Sequence, residues 1–212
     1  MPAKKLLNSD VFVNCPFDPK FLKIFRAIVF AVRACGFSPR CAQDENDGAK
    51  VRIDKIYDLI GDCDWGIHDL SEVTLDKGTN MPRFNMPLEL GISLGAKRYG
   101  GPRQRMKRIL ILDKGPHSYG ASTSDISGQD NACHSGKPEQ VIKEVRNWLS
   151  CNQIGNASPL PGGQALVNDY GNVRTEIDKL INAHKLDPWI EMTHSDYLRC
   201  LDAALLKLSP TT

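Results

Sequence analysis

The apolar positions change period several times along the chain. Asp10-Val-Phe-Val-Asn-Cys15 is a short apolar run of the kind that forms a buried strand. From Phe21 to Cys35, the residues Phe21, Leu22, Ile24, Phe25, Ile28, Val29 and Val32 recur at helical spacing. That pattern leaves Lys20, Lys23, Arg26 and Arg33 on the outer side, and Gly36 supplies a stop signal. Phe37–Ala42 reads as a second strand. Val51–Cys63 reads as a helix on Val51, Ile53, Ile56, Leu59 and Ile60. Trp65–Leu70 is a third strand, and Asn85–Ala96 opens the next helix. Arg108-Ile-Leu-Ile-Leu-Asp113 is the clearest strand signal, and Pro138–Cys151 returns to helical spacing through Val141, Ile142, Val145, Trp148 and Leu149.

Strands alternating with helices predict an α/β fold: a doubly wound, flavodoxin- or Rossmann-like, mainly parallel sheet over residues 1–154. The expected core includes Val11, Val13, Ile67, Ile109 and Ile111. Gly155–Gly163, with Pro159, Pro161 and paired glycines, reads as a linker. Two helical segments near Val173–His184 and Asp196–Leu208 then form a C-terminal helical extension over 164–212. The apolar face of Leu198, Leu201 and Leu205 calls for burial against the sheet unit or a second subunit. In sheets of this class ligands bind outside the C-terminal strand ends. That rule directs attention to the loops at 14–18, 43–50, 69–89 and 114–134.

Composition changes this picture little. The 212 residues are 41% hydrophobic and 25% charged, which excludes disorder as the main state. A net charge of +2 argues against nucleic acid or an anionic membrane surface as the partner. Basic residues gather at Lys97–Arg98 and at Arg103, Arg105, Lys107 and Arg108, read here as a solvated loop. No apolar run suits a bilayer span or an export signal, so a cytoplasmic location is expected. Seven cysteines without CxxC spacing predict reduced thiols, no disulfide and no metal centre. No Gly-rich phosphate fingerprint follows the first strand, which disfavours dinucleotide redox chemistry.

The chemistry-bearing residues concentrate between the third strand and the following helix. Asp69 stands at a strand end, Asn85 is a candidate N-cap, and Pro87 fits a first helical turn. Glu89 follows, close enough to the helix start for its anion to be favoured. Asn14 and Cys15 end the first strand, where Asn14 either shapes a turn or meets a sugar hydroxyl. Glu45 lies in an acidic turn, and Arg52 either pairs with a carboxylate or reaches a phosphate. His68, next to Asp69 on a strand, points to the opposite face.

Trp65-Gly-Ile-His-Asp-Leu-Ser71 followed by Asn85-Met-Pro-Leu-Glu-Leu-Gly91 resembles the strand–loop–helix unit of TIR-like domains and nucleoside 2-deoxyribosyltransferase-like proteins. The resemblance extends over residues 10 to 150 through Val11-Phe-Val-Asn-Cys-Pro16, Asp44-Glu-Asn-Asp-Gly48 and Arg52. It implies Glu89 as the catalytic carboxylate; where the leaving group needs a proton, Asp69 or Asp47 is the candidate donor, each equally readable as a turn or capping residue. It also implies a substrate site drawn from Asn14, Cys15, Glu45, Arg52, Asn85 and Met86. The implied activity is cleavage of an N-glycosidic bond in NAD or a related nucleotide, with no separate cofactor. A role in bacterial antiviral defence or stress signalling and a homo-oligomeric assembly are implied with it. Two alternatives stay open: a non-catalytic nucleotide-sensing module, and a deoxyribosyltransferase-like enzyme.

Overall fold

A computed structural model describes residues 7–44, 47–72, 84–116, 124–126, 128–153 and 158–208. Five strands, β1 (Asp10–Asn14), β2 (Ser38–Arg40), β3 (Trp65–Asp69), β4 (Arg108–Asp113) and β5 (Ala132–Cys133), form one all-parallel sheet in the order β2-β1-β3-β4-β5. The doubly wound α/β expectation holds. β5 is an addition to the four strands read from the sequence, because two residues are too short to carry a periodic signal.

Side-chain alternation divides the sheet into two packed faces. Val11, Val13, Trp65, Ile67, Leu110 and Leu112 meet helices α1 (Leu22–Ala34) and α5 (Pro138–Asn152). Phe12 and Ile111 face the other way, toward α2 (Arg52–Asp62) and α3 (Asn85–Tyr99). A one-turn helix, α4 (Pro102–Arg105), leads into β4. Gly36, at φ +81°, ends α1 in a left-handed conformation that L side chains rarely adopt and turns the chain into β2. Of the five residues expected in the core, four are buried, and Ile109, near the start of β4, is half-buried against the cluster of Leu70, Met86, Leu90 and Ile111.

The C-terminal helices α6 (Gly163–His184) and α7 (His194–Leu208) pack onto α1 and α5. Leu166, Val173, Ile177, Tyr197 and Leu201 join the same core as the sheet. Leu201 is fully buried, while Leu198 and Leu205 are partly covered. α6 starts ten residues before the predicted Val173, because Gly163 packs against Lys143 and Arg146 donates to the carbonyls of Leu160 and Pro161.

This packing corrects two expectations about charge. Arg26, read as an outer residue of α1, is 2% exposed. Its guanidinium donates to the carbonyls of Trp189 and Met192 and lies 4.4 Å from the Trp189 ring and 4.8 Å from that of Tyr197. The face that looked polar in isolation is covered by the extension. Lys107, read as part of a solvated basic loop, is also buried, and its Nζ donates to the carbonyls of Ile60 and Cys63 at the end of α2. Arg103 pairs with Asp64 at 2.7 Å. Arg103 and Lys107 thus cover the C-terminal end of α2. The seven cysteines stand as free thiols. Among the described residues, no helix is long and apolar enough to cross a membrane.

Candidate active site

In the order β2-β1-β3-β4-β5 the chain leaves β1 toward one sheet edge and returns to build toward the other. The switch point therefore falls between β1 and β3, where such sheets open a crevice at their C-terminal ends. Asn14 and Cys15 end one wall, and Asp69, Leu70 and Ser71 end the other.

Asn14 is 3% exposed and bridges two elements. Its amide nitrogen donates to the Met86 carbonyl at 3.0 Å and lies 2.9 Å from His68 Nδ1. Both amide hydrogens are thus used, and His68 Nδ1 is an acceptor, which puts the imidazole proton on Nε2. Burial pushes the His68 pKa down to about 3, with the Lys107 charge adding, so the ring is neutral. Gly66 makes room for it, since a Cβ there would stand 3.1 Å from Nε2. Asn14 and the buried Met86 therefore serve as a clamp that fixes the first turn of α3 against β1.

That clamp sets the position of Glu89. Asn85 and Glu89, four residues apart, share one side of α3 and line a cavity of about 210 Å³ with Leu88 and with Arg52, Ile53 and Ile56 of α2. Glu89 is 8% exposed. Burial pushes its carboxyl up to about 7, against the pull of the Arg52 charge. This corrects the expectation of a carboxylate held ionised by the helix start. α3 begins at Asn85 itself, with Phe84 in the cap position and no side-chain cap hydrogen bond. Glu89 is accordingly past the first turn, where the macrodipole fades and desolvation dominates.

Asp69 does not join Glu89. Its side chain projects to the α1/α5 face, is fully buried, and accepts from the Ser71 backbone N–H at 2.9 Å. His134 Nε2 lies 3.0 Å from Asp69 Oδ2 and 2.9 Å from Ser71 Oγ. The left-handed Ser135–Gly136 turn directs the Gly136 N–H onto His134 Nδ1 at 3.0 Å. Nδ1 is therefore the acceptor, and Nε2–H donates to Asp69 and Ser71. A Ser–His–Asp relay needs the serine and the aspartate on different ring nitrogens, with the nitrogen facing serine unprotonated. The arrangement here fails both conditions and is a structural tie between the loops after β3 and β5. Asp69→Asn is expected to lower stability by about 1.5–3 kcal/mol in chemical denaturation, the usual worth of a charge-assisted hydrogen bond. Any activity per folded molecule should be unchanged.

The remaining sequence candidates separate by environment. Arg52, the first residue of α2, is exposed at the cavity rim. Cys15 is buried, and its thiol is pushed well up by burial first, with the charges of Asp69, Cys41 and Glu89 adding. That describes an inert protonated thiol and not a nucleophile. Glu45 lies outside the described residues. His68 and His134 were missed as partners of Asn14 and Asp69, since each contact joins residues 54 or more apart in sequence.

No protein-family model matches the chain, and no curated protein matches it. The likeness to TIR-like and deoxyribosyltransferase-like proteins therefore rests on the residues that carry it.

Proposed function

We propose that the chain is an N-glycosidic bond hydrolase acting on NAD or a related nucleotide, with Glu89 as the working carboxylate. The observation that carries this reading is a single buried carboxyl of raised pKa, in a cavity between the N-terminal ends of α2 and α3, at the binding edge of a parallel sheet. Cleaving a ribosyl–base bond builds oxocarbenium character at the anomeric carbon. An ionised carboxylate beneath that carbon stabilises the cation or traps it.

The cavity chemistry favours one kind of leaving group. Its described lining includes one carboxylate, Glu89, and one cation, Arg52. Glycosidic cleavage with a poor leaving group uses two carboxyl groups, one of them to donate a proton. Nicotinamide leaves a cationic glycoside as a neutral molecule and requires no such donor. The positive charge of that glycoside would also return Glu89 to its ionised form on binding. At about 210 Å³ the cavity is smaller than the roughly 300–1,000 Å³ of whole-ligand pockets, which suits a ribosyl portion. Arg52, exposed at the rim, is the candidate anchor for a phosphate. A part in antiviral defence or stress signalling follows from the family resemblance.

Incubation of the protein with NAD, ATP and deoxynucleosides, followed by chromatography, tests this reading. Free nicotinamide is the expected product, whereas base exchange would assign a deoxyribosyltransferase. A specific feature favours a second reading, an assembly module. Val51, Tyr57, Phe84 and Leu88, on or beside the two helices that wall the cavity, are 51–60% exposed. Ligand-dependent oligomerisation without turnover would decide for it.

The pH profile adds a sign. Only ionised Glu89 can stabilise the oxocarbenium ion, so kcat/KM for NAD should rise with pH and level off above about 7. A profile that falls through the same range would make Glu89 a proton donor and point to a purine or pyrimidine leaving group.

A further inference from the structure

A second group of chemistry-bearing side chains lies one strand away from the switch point, where the loop after β2 meets the start of α7. Cys41 Sγ stands 3.4 Å from Asp44 Oδ1. His194 Nε2 stands 3.5 Å from the same oxygen. All three ligand atoms lie within 4.8 Å of one another. Cys41 is 1% exposed and His194 8% exposed.

A thiol–carboxylate hydrogen bond accounts for Cys41 and Asp44 but leaves His194 unexplained. Both ring nitrogens of His194 are buried: Nε2 meets only the long 3.5 Å contact with Asp44, and Nδ1 has no hydrogen-bond partner among the described residues. An imidazole costs free energy when desolvated without partners. The ring packs at a tilt against Phe25, with centroids 5.2 Å apart at 38°, which holds it without supplying a hydrogen bond. Asp44 is oriented from behind: Arg40 Nε donates to Oδ2 at 2.7 Å, and Oδ1 is left toward the cysteine and the histidine. The Cys41 backbone N–H reaches that same oxygen at 3.1 Å, so the loop is preformed.

We propose that Cys41, Asp44 and His194 form a three-ligand site for a zinc-type divalent cation, with a fourth position for water or a ligand atom. The donor set is one thiolate, one imidazole and one carboxylate, each a normal zinc ligand. Metal–ligand bonds of about 2.3 Å to sulfur and about 2.0–2.2 Å to nitrogen and oxygen place tetrahedral ligand atoms about 3.4–3.6 Å apart. The observed separations of 3.4 Å and 3.5 Å match those edges. Hard cations such as Mg²⁺ and Ca²⁺ take oxygen ligands and fit poorly. Cation binding replaces the thiol proton, which leaves to solvent, and so converts Cys41 to a thiolate. Arg40 supplies the outer hydrogen bond that fixes a ligating carboxylate. Three protein ligands with one open position is the pattern of a reactive zinc rather than a closed structural one. His194 also lines a cavity of about 550 Å³, together with Phe17, Ala42, Gln43, Met192 and Ser195 among others. The site also joins the β2 loop to the C-terminal extension, so the extension contributes a ligand and not only packing.

The test uses the reduced, chelator-stripped full-length protein. Titration with Co²⁺ is expected to give one equivalent, a thiolate-to-cobalt charge-transfer band and the visible bands of a tetrahedral ion. Zn²⁺ should displace it. Cys41→Ser should remove the charge-transfer band, and His194→Gln should weaken binding at least about 10-fold, with circular dichroism as the folding control. Asp44→Asn replaces His194→Gln if that variant does not fold. A Cys133→Ser/Cys151→Ser double variant, which removes the two least buried thiols, should bind as the wild type does. Absence of a thiolate band in the wild type overturns the proposal. So does a band that survives in Cys41→Ser with unchanged affinity.

Discussion

Glu89→Gln is expected to abolish turnover and, above pH 7, to make the folded protein more stable. The first effect follows from charge. A neutral amide has the shape of the carboxyl but supplies no negative charge to an oxocarbenium ion. Loss of one such electrostatic partner costs about 10²–10³ in rate, and loss of a covalent nucleophile costs more. The second effect follows from burial. The Glu89 carboxyl is raised from the ordinary 4.5 to about 7, so the native state holds its proton more tightly than the unfolded chain does. Its contribution to stability is fully present below about pH 4.5 and is lost as the pH rises through about 7. The wild type thus carries an ionised buried carboxyl at pH 8 at a penalty of roughly 2–3 kcal/mol, and glutamine removes that penalty. Urea denaturation at pH 4, 6 and 8 should show near-equal stabilities first and a widening advantage for the variant. A gain in stability with a loss of activity marks a residue kept for function. Equal nicotinamide release by both proteins would remove Glu89 from the mechanism, and a pH-independent stability difference would remove the burial argument.

The sequence carried the framework because the framework is local. β1, β3 and β4 are apolar runs in the heart of the sheet, and α1, α2 and α5 carry one apolar face each. Glu89 is singled out in the sequence by its place after a polar strand end and a helix start, and it lies in a cavity wall. What the sequence hid depends on contacts between distant residues. Arg26 looks solvent-facing until α7 supplies Tyr197, which donates to the Arg26 carbonyl from 171 residues away. Lys107 looks like part of a basic loop until the carbonyls at the end of α2 take its protons. Asp69 looks like a partner for Glu89 because the two lie in one motif, but strand alternation sends it to the other face and His134 occupies it. Cysteine spacing addresses only ligands close in sequence, so it says nothing for or against the proposed Cys41–Asp44–His194 site, whose histidine lies far from the other two residues along the chain.

Ending the chain at Gln153 is expected to prevent recovery of a soluble, folded monomer. α6 and α7 are part of the core and not an appendage to it. Leu166, Val173, Ile177, Tyr197, Leu201 and Ala204 are each no more than 2% exposed within the cluster that contains the sheet residues. A large buried apolar side chain contributes about 1.5–3 kcal/mol. Losing several of them approaches the roughly 5–15 kcal/mol that holds a whole domain together. Truncation also uncovers Phe30, which packs against Tyr170 at 4.9 Å, and strips Arg26 of its carbonyl acceptors and aromatic cover. Point variants give a graded check. Tyr197→Phe removes the 3.0 Å hydrogen bond to the Arg26 carbonyl and should cost about 0.5–1.5 kcal/mol. Tyr197→Ala also opens a cavity beside Trp189 and should cost about 3–5 kcal/mol. Denaturant midpoints measure both, and light scattering with hydrophobic dye binding measures the truncation. A truncated chain that stays a monomer with an unchanged midpoint would show that the sheet and its first five helices hold together without the extension.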